Sequence, residues 1–137
     1  MKRRIPRVLL GAAGSGSGKT TAACALLAAM QARGVRLAAF KTGPDYIDPM
    51  FHRKALGTPS CNLDLFLCGG ENVRRLFAEV SGDAELSVVE GVMGLYDGRS
   101  GLDDQCSSNH LARVLEAPTI LVLDVKGMSL SAVAILH

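Results

Sequence analysis

No pair of cysteines in this sequence is spaced as CxxC, and no histidine stands at metal-ligand spacing from Cys24, Cys61, Cys68 or Cys106. A zinc site and a disulfide framework are therefore unsupported, and the thiols are expected to be reduced and structural. Long apolar runs are also missing: the one at residues 120–123 falls far short of the about 20 residues that a membrane helix needs. The opening Lys2, Arg3, Arg4 and Arg7 precede a short apolar stretch, too short for a secretory signal, and are expected to form a solvated tail. An excess of one charge is lacking, since fifteen basic residues against thirteen acidic ones leave +2. That balance gives no electrostatic footprint for nucleic acid or a membrane surface. Internal repeats and low-complexity segments are absent. What remains is a chain of 137 residues, 48% hydrophobic and 20% charged, expected to form one compact, cytoplasmic domain.

Strand-length apolar runs alternate with helical patterns. Residues 7–11 read as a buried strand ending in a glycine-rich turn, and residues 19–33 as an Ala- and Leu-rich helix closed by Gly34. Residues 35–41 form a second strand, and residues 42–61, with three prolines and two glycines, read as a long functional loop. A helix over 71–80, a third strand over 86–89, a helix over 107–116, a fourth strand over 119–124 and a helix from Met128 follow. The alternation predicts an α/β fold: a doubly wound, mainly parallel sheet flanked by helices, binding ligands at the carboxyl ends of its strands.

The most specific chemistry lies in Gly11, Ala12, Ala13, Gly14, Ser15, Gly16, Ser17, Gly18, Lys19 and Thr20. Glycines at a strand-to-helix turn let backbone amides face inward as an anion nest, and the helix N-terminus adds its positive dipole end. Lys19 is placed to reach the β- and γ-phosphates of ATP, and Thr20 to ligate Mg2+. Gly14, Ser15, Gly16, Ser17, Gly18, Lys19, Thr20 and Thr21 form the expected nucleotide site. The strict phosphate-loop pattern has glycine where Ala13 stands, so the match is a variant.

Beyond the loop, KTGPDYIDPMFH from Lys41 to His52, SCNLD from Ser60 to Asp64, EGVMGLYDG from Glu90 to Gly98 and LVLDVKGM from Leu121 to Met128 resemble the cobyrinate a,c-diamide synthase family. The resemblance covers nearly the whole chain and implies a P-loop NTPase-type, dethiobiotin-synthetase-like domain, here truncated. It also implies an ATP-dependent ligase that amidates the a- and c-carboxylates of cobyrinate or hydrogenobyrinate in cobalamin biosynthesis. Residues 1–137 would be the N-terminal part of the ATP-binding synthetase domain. The family's C-terminal glutamine amidotransferase, which supplies ammonia, would be absent, since no cysteine sits in a GxCxG-like elbow.

A carboxylate is a poor electrophile, so amidation requires its activation; phosphoryl transfer would give an acyl phosphate open to ammonia. Oxygen ligands for Mg2+ are expected from Thr20, from Asp45 or Asp48, and from Glu90. Lys19 and Lys41 would steady the phosphates, and Asp97 would act near the carboxylate or the ammonia. Asp45, Asp48 and Asp97 have equally good readings as turn caps beside Pro44, Pro49 and Gly98. An acid such as Glu90, at the end of a buried strand, demands a partner or a metal. The default for Asp124 is a hydrogen bond at the sheet edge. By resemblance Tyr46 and Ile47 meet the corrinoid, the alternative being a hydrophobic plug. His52, with Arg53 and Lys54, is a candidate contact to the corrinoid polycarboxylate, or else part of a solvated face. A homodimer is allowed. Rival readings are a nickel-sirohydrochlorin diamide synthase, a dethiobiotin synthetase relative, and a ParA/MinD-like ATPase switch, whose extra lysine would occupy Gly14.

Overall fold

A computed structural model describes residues 5–45 and 47–136. Five apolar runs form the strands β1 (Arg7–Ala12), β2 (Leu37–Thr42), β3 (Ser60–Leu63), β4 (Leu86–Glu90) and β5 (Thr119–Val122). They pair in parallel throughout, in the order β3-β2-β4-β1-β5. Parallel neighbours need crossovers, and α1 (Lys19–Ala32), α2 (Ile47–Leu56), α3 (Leu65–Ser81) and α4 (Ser108–Leu115) supply them.

Alternation along the strands divides the core in two. Leu9, Phe40, Leu63 and Val89 face Val73 and Phe77 of α3 and Leu111 and Leu115 of α4. Leu10, Leu37, Ala39 and Val88 face Ala23 and Leu27 of α1, with Leu56 of α2 against the same cluster. Helices thus cover both faces of the sheet, as expected of a doubly wound fold. Among the described residues no helix is long and apolar enough to cross a membrane.

The expected loop at 42–61 is corrected: it contains α2 and β3. Pro49 falls within the first turn of α2, where its missing N–H costs nothing. β3 has only four residues, held between β2 and α3, and its register of Ala39 opposite Ser60 and Thr42 opposite Leu63 extends the sheet by one edge strand. The helix expected over 71–80 begins at Leu65, because the chain bends at Gly69 (φ 71°) and resumes the helix beyond it. The helix expected from Met128 is a 3-10 segment, Leu130–Ile135.

All four cysteines are free thiols, as expected. Burial pushes the Cys61 thiol up to about 11, whereas Cys68 is exposed. At pH 8 the thiolate of Cys61 should be roughly a hundredfold scarcer than that of an unperturbed cysteine. Limited treatment with iodoacetamide should therefore modify Cys68 long before Cys61, as read by peptide mass spectrometry.

Candidate active site

β1 and β4 are neighbours, yet the chain leaves β1 toward α1 on one face and leaves β4 toward α4 on the other. Such a divergence opens a crevice at the carboxyl ends of the two strands. The glycine-rich loop enters it from β1. Gly16 and Gly18 hold φ of 76° and 88°, left-handed values that side chains disfavour. Gly18 caps α1 without any side-chain hydrogen bond, which leaves the first-turn amides free to face an anion. A cleft of about 370 Å³ lies over them, bounded also by Lys41, Glu90 and Met93.

Lys19 is 7% exposed. Its Nζ donates to the carbonyls of Gly14 (2.9 Å) and Met93 (2.7 Å), so it already bridges the two loops of the crevice. Burial, with the charge of Lys41 acting the same way, lowers its pKa, while Glu90 and Asp97 oppose the shift.

Glu90 ends β4 at 1% exposure. Its Oε1 accepts from Thr20 Oγ1 at 2.5 Å and from Lys41 Nζ at 2.7 Å. Lys41 Nζ also meets Asp48 Oδ2 at 2.9 Å. Burial works against the charge of Lys41, but its hydrogen bonds to Glu90 and Asp48 outweigh that and raise its pKa. Glu90 Oε2 is buried with no partner among the described residues, and a carboxylate oxygen in that condition calls for a ligand. Thr20, Asp48 and Glu90 together offer hard oxygen donors. No group of three or more His, Cys, Asp or Glu disposed to hold a metal exists among the described residues. The donor set of Thr20, Asp48 and Glu90, with Glu90 Oε2 unpartnered, is the kind that suits Mg2+, which is ordinarily held by one or two carboxylates together with phosphate oxygens and water.

The other expected site residues are placed differently. Asp45 caps the start of α2, its Oδ1 accepting from Ile47 N at 3.0 Å, so of the two loop aspartates it is Asp48 that joins Glu90 and Lys41. Asp97 is exposed and lines a neighbouring cleft rather than the one over the glycine-rich loop, and its Oδ2 accepts from Gly94 N at 2.7 Å. Ile47 projects outward, 77% exposed; Tyr46 lies outside the described residues. His52 is turned inward at 1% exposure, with Nδ1 3.3 Å from Ser60 Oγ, so the expectation that it contacts substrate does not fit its position here. Burial lowers its pKa, which favours the neutral ring. Arg53 donates to the carbonyl of Ser60 at 2.8 Å and ties α2 to β3. Asp124 caps a turn, accepting from Lys126 N at 3.0 Å.

Three supporting residues escaped the sequence reading. Ser108 Oγ accepts from Val92 N (3.0 Å) and donates to Val92 O (3.2 Å), pinning the loop after β4. Asn62 donates through Nδ2 to the carbonyls of Gly43 and Asp45 and so fixes the loop after β2. The Met93 carbonyl receives Lys19 from a residue at φ 51°. Glycine is required beside them: a Cβ at Gly91 would lie 2.8 Å from both Leu10 O and Ser108 Oγ.

Comparison with known proteins gives the family. The chain is 47% identical over 133 residues to the hydrogenobyrinate a,c-diamide synthase of Streptomyces coelicolor, covering 97% of this chain and 27% of that protein. It is 46% identical over 130 residues to the cobyrinate a,c-diamide synthase of Gloeobacter violaceus, covering 95% and 29%. The Thermoplasma volcanium cobyrinate a,c-diamide synthase is 45% identical over 132 residues, covering 96% and 29%. The chain thus spans less than a third of the length of these curated relatives. The profile of the CobQ/CobB/MinD/ParA nucleotide binding domain matches residues 8–135. With a parallel five-stranded sheet, a glycine-rich loop over a helix N-terminus and a match along almost its entire length, the chain belongs to the CobQ/CobB/MinD/ParA nucleotide binding domain family.

Proposed function

We propose that this chain is the nucleotide-binding, carboxylate-activating part of a corrinoid a,c-diamide synthase that uses ATP. What carries this reading is the convergence of Thr20, Lys41 and Asp48 on Glu90, beside a loop whose amides and Lys19 are arranged for phosphates. The names of the similar proteins supply the substrate class: cobyrinate or hydrogenobyrinate, amidated at the a and c positions.

In the proposed reaction a substrate carboxylate oxygen attacks the γ-phosphorus of ATP, and ADP leaves with the bond electrons. Ammonia then attacks the acyl carbon; phosphate departs, one proton is released, and the amide remains. Ammonia derives from glutamine in the whole protein. Such transfers depend on positioning and charge neutralisation. Lys19 exchanges its two carbonyl partners for phosphate oxygens, and the amides of residues 14–20 hold the transferred charge. Thr20, Asp48 and Glu90 would hold Mg2+, which supplies charge neutralisation across the phosphates. Lys41 keeps the two carboxylates from repelling each other. Asp97, whose Oδ2 is held by Gly94 N, would accept the proton of the attacking ammonia through its other carboxylate oxygen.

The test uses the polypeptide as its gene encodes it, with ATP, Mg2+ and cobyrinate, and with glutamine or ammonium chloride as nitrogen source. Mass spectrometry should count two carboxyl-to-amide conversions per corrinoid, with ADP formed in step. ATP hydrolysis without amidation of any corrinoid would sink the assignment, and amidation with ammonium but none with glutamine would reject glutamine as the nitrogen source.

A further inference from the structure

A second cleft, of about 360 Å³, opens beside the nucleotide cleft and shares Val92 and Met93 with it. Its lining is mostly apolar and reaches Phe66, Leu67 and Arg99. Phe66 and Leu67 are 66% and 69% exposed, two adjacent large apolar residues at the start of a helix, where a water-facing turn would ordinarily carry polar ones. Their position is built in. Asp64 caps α3, its Oδ1 accepting from Phe66 N at 2.8 Å and Leu67 N at 3.0 Å, which sets the first turn of the helix at the rim of the cleft.

The charges in the lining are unequally engaged. The Asp64 carboxylate is spent on the helix cap and Asp97 Oδ2 on Gly94 N. Arg99 is the lining's one cation, and among the described residues its guanidinium makes no hydrogen bond or ion pair. Its backbone is held in place, the Arg99 amide donating to Gln105 O at 3.0 Å. A fixed backbone with an uncommitted guanidinium suits recognition of a carboxylate.

We propose that this second cleft is the acceptor subsite, in which Phe66 and Leu67 pack against the flat apolar edge of a macrocycle and Arg99 binds one of its non-reacting peripheral carboxylates. The inference rests on the function proposed above and adds residues that determine substrate binding. The shared wall of Val92 and Met93 brings the reacting carboxylate toward the γ-phosphate, so orientation of the macrocycle decides which side chain is activated. A cleft of this size takes one edge of the ring system and leaves the rest in the open.

The experiment measures binding of cobyrinate, and of its uncharged heptamethyl ester, to the polypeptide as encoded, by absorbance titration. ATP binding and circular dichroism serve as controls for folding. Phe66→Ala with Leu67→Ala should weaken both corrinoids by about tenfold or more, with ATP affinity unchanged. Arg99→Gln should weaken cobyrinate by roughly tenfold and leave the ester unaffected, and Arg99→Lys should recover part of the loss. Unchanged cobyrinate binding in the Phe66/Leu67 double variant or in Arg99→Gln, with the wild type binding normally, overturns the subsite while leaving the proposed function standing. Failure of the wild-type protein to bind any corrinoid rejects that function and the subsite with it.

Discussion

Lys19→Ala is expected to reduce ATP-dependent turnover by about a hundredfold or more, equivalent to roughly 2.7 kcal/mol of lost transition-state stabilisation. The residue joins the loop after β1 to the loop after β4, through Gly14 O at 2.9 Å and Met93 O at 2.7 Å. Both acceptors are neutral carbonyls, which phosphate oxygens can readily outcompete. A charge-assisted hydrogen bond contributes about 2 kcal/mol, so the ground-state affinity for ATP should weaken roughly thirtyfold. The remaining deficit falls on the chemical step, where charge develops on the departing ADP. Circular dichroism should stay native, because Lys19 opens α1 and its side chain lies in the crevice rather than in the core. Lys19→Arg should bind ATP better than the alanine variant and still turn over poorly, since a planar fork does not occupy the position of a compact ammonium. Wild-type turnover by Lys19→Ala would show that the glycine-rich loop is not the working phosphate site.

The ease with which that lysine was found, and the difficulty with its neighbours, have physical causes. The phosphate loop is legible because its backbone conformation dictates sequence: Gly16 and Gly18 are left-handed, and Lys19 must follow at the helix start. Glu90 was legible because an acid closing the apolar run Leu86–Glu90 has to be paired or ligated. β3 and α2 were hidden by their brevity. A four-residue strand and a ten-residue helix with only Pro49 and His52 buried do not repeat long enough to display a period. The placement of His52 was not legible for a related reason. Its neighbours Arg53 and Lys54 suggested a charged face, but α2 turns position 52 toward Ser60 and the sheet. The choice between Asp45 and Asp48 rested on two aspartates three residues apart. Spacing cannot say which one caps the helix and which one reaches Lys41, whereas the hydrogen bond from Ile47 N to Asp45 decides it.

Lys41→Met should make stability depend on Mg2+. In the native arrangement Lys41 Nζ stands 2.7 Å from Glu90 Oε1 and 2.9 Å from Asp48 Oδ2, with the lysine and glutamate side chains 7% and 1% exposed. Methionine preserves most of the volume and removes the charge, leaving two carboxylates facing each other away from water. Removing one partner of a buried ion pair costs about 3–5 kcal/mol, which for a chain of this size corresponds to a fall in Tm of roughly 10–15 °C. Thr20 remains hydrogen-bonded to Glu90, so the oxygen cluster persists without its internal cation. A divalent ion can then supply the missing positive charge. Millimolar Mg2+ should recover much of the lost Tm in the variant and raise that of the wild type less, because without nucleotide Lys41 already offsets part of the charge on these oxygens. Na+ at equal ionic strength should recover little, which separates binding from general screening. If Mg2+ raises the Tm of both proteins equally, or of neither, Asp48 and Glu90 do not share a metal. A variant that keeps its Tm without Mg2+ would mean that the carboxylates are not held together by Lys41 at all.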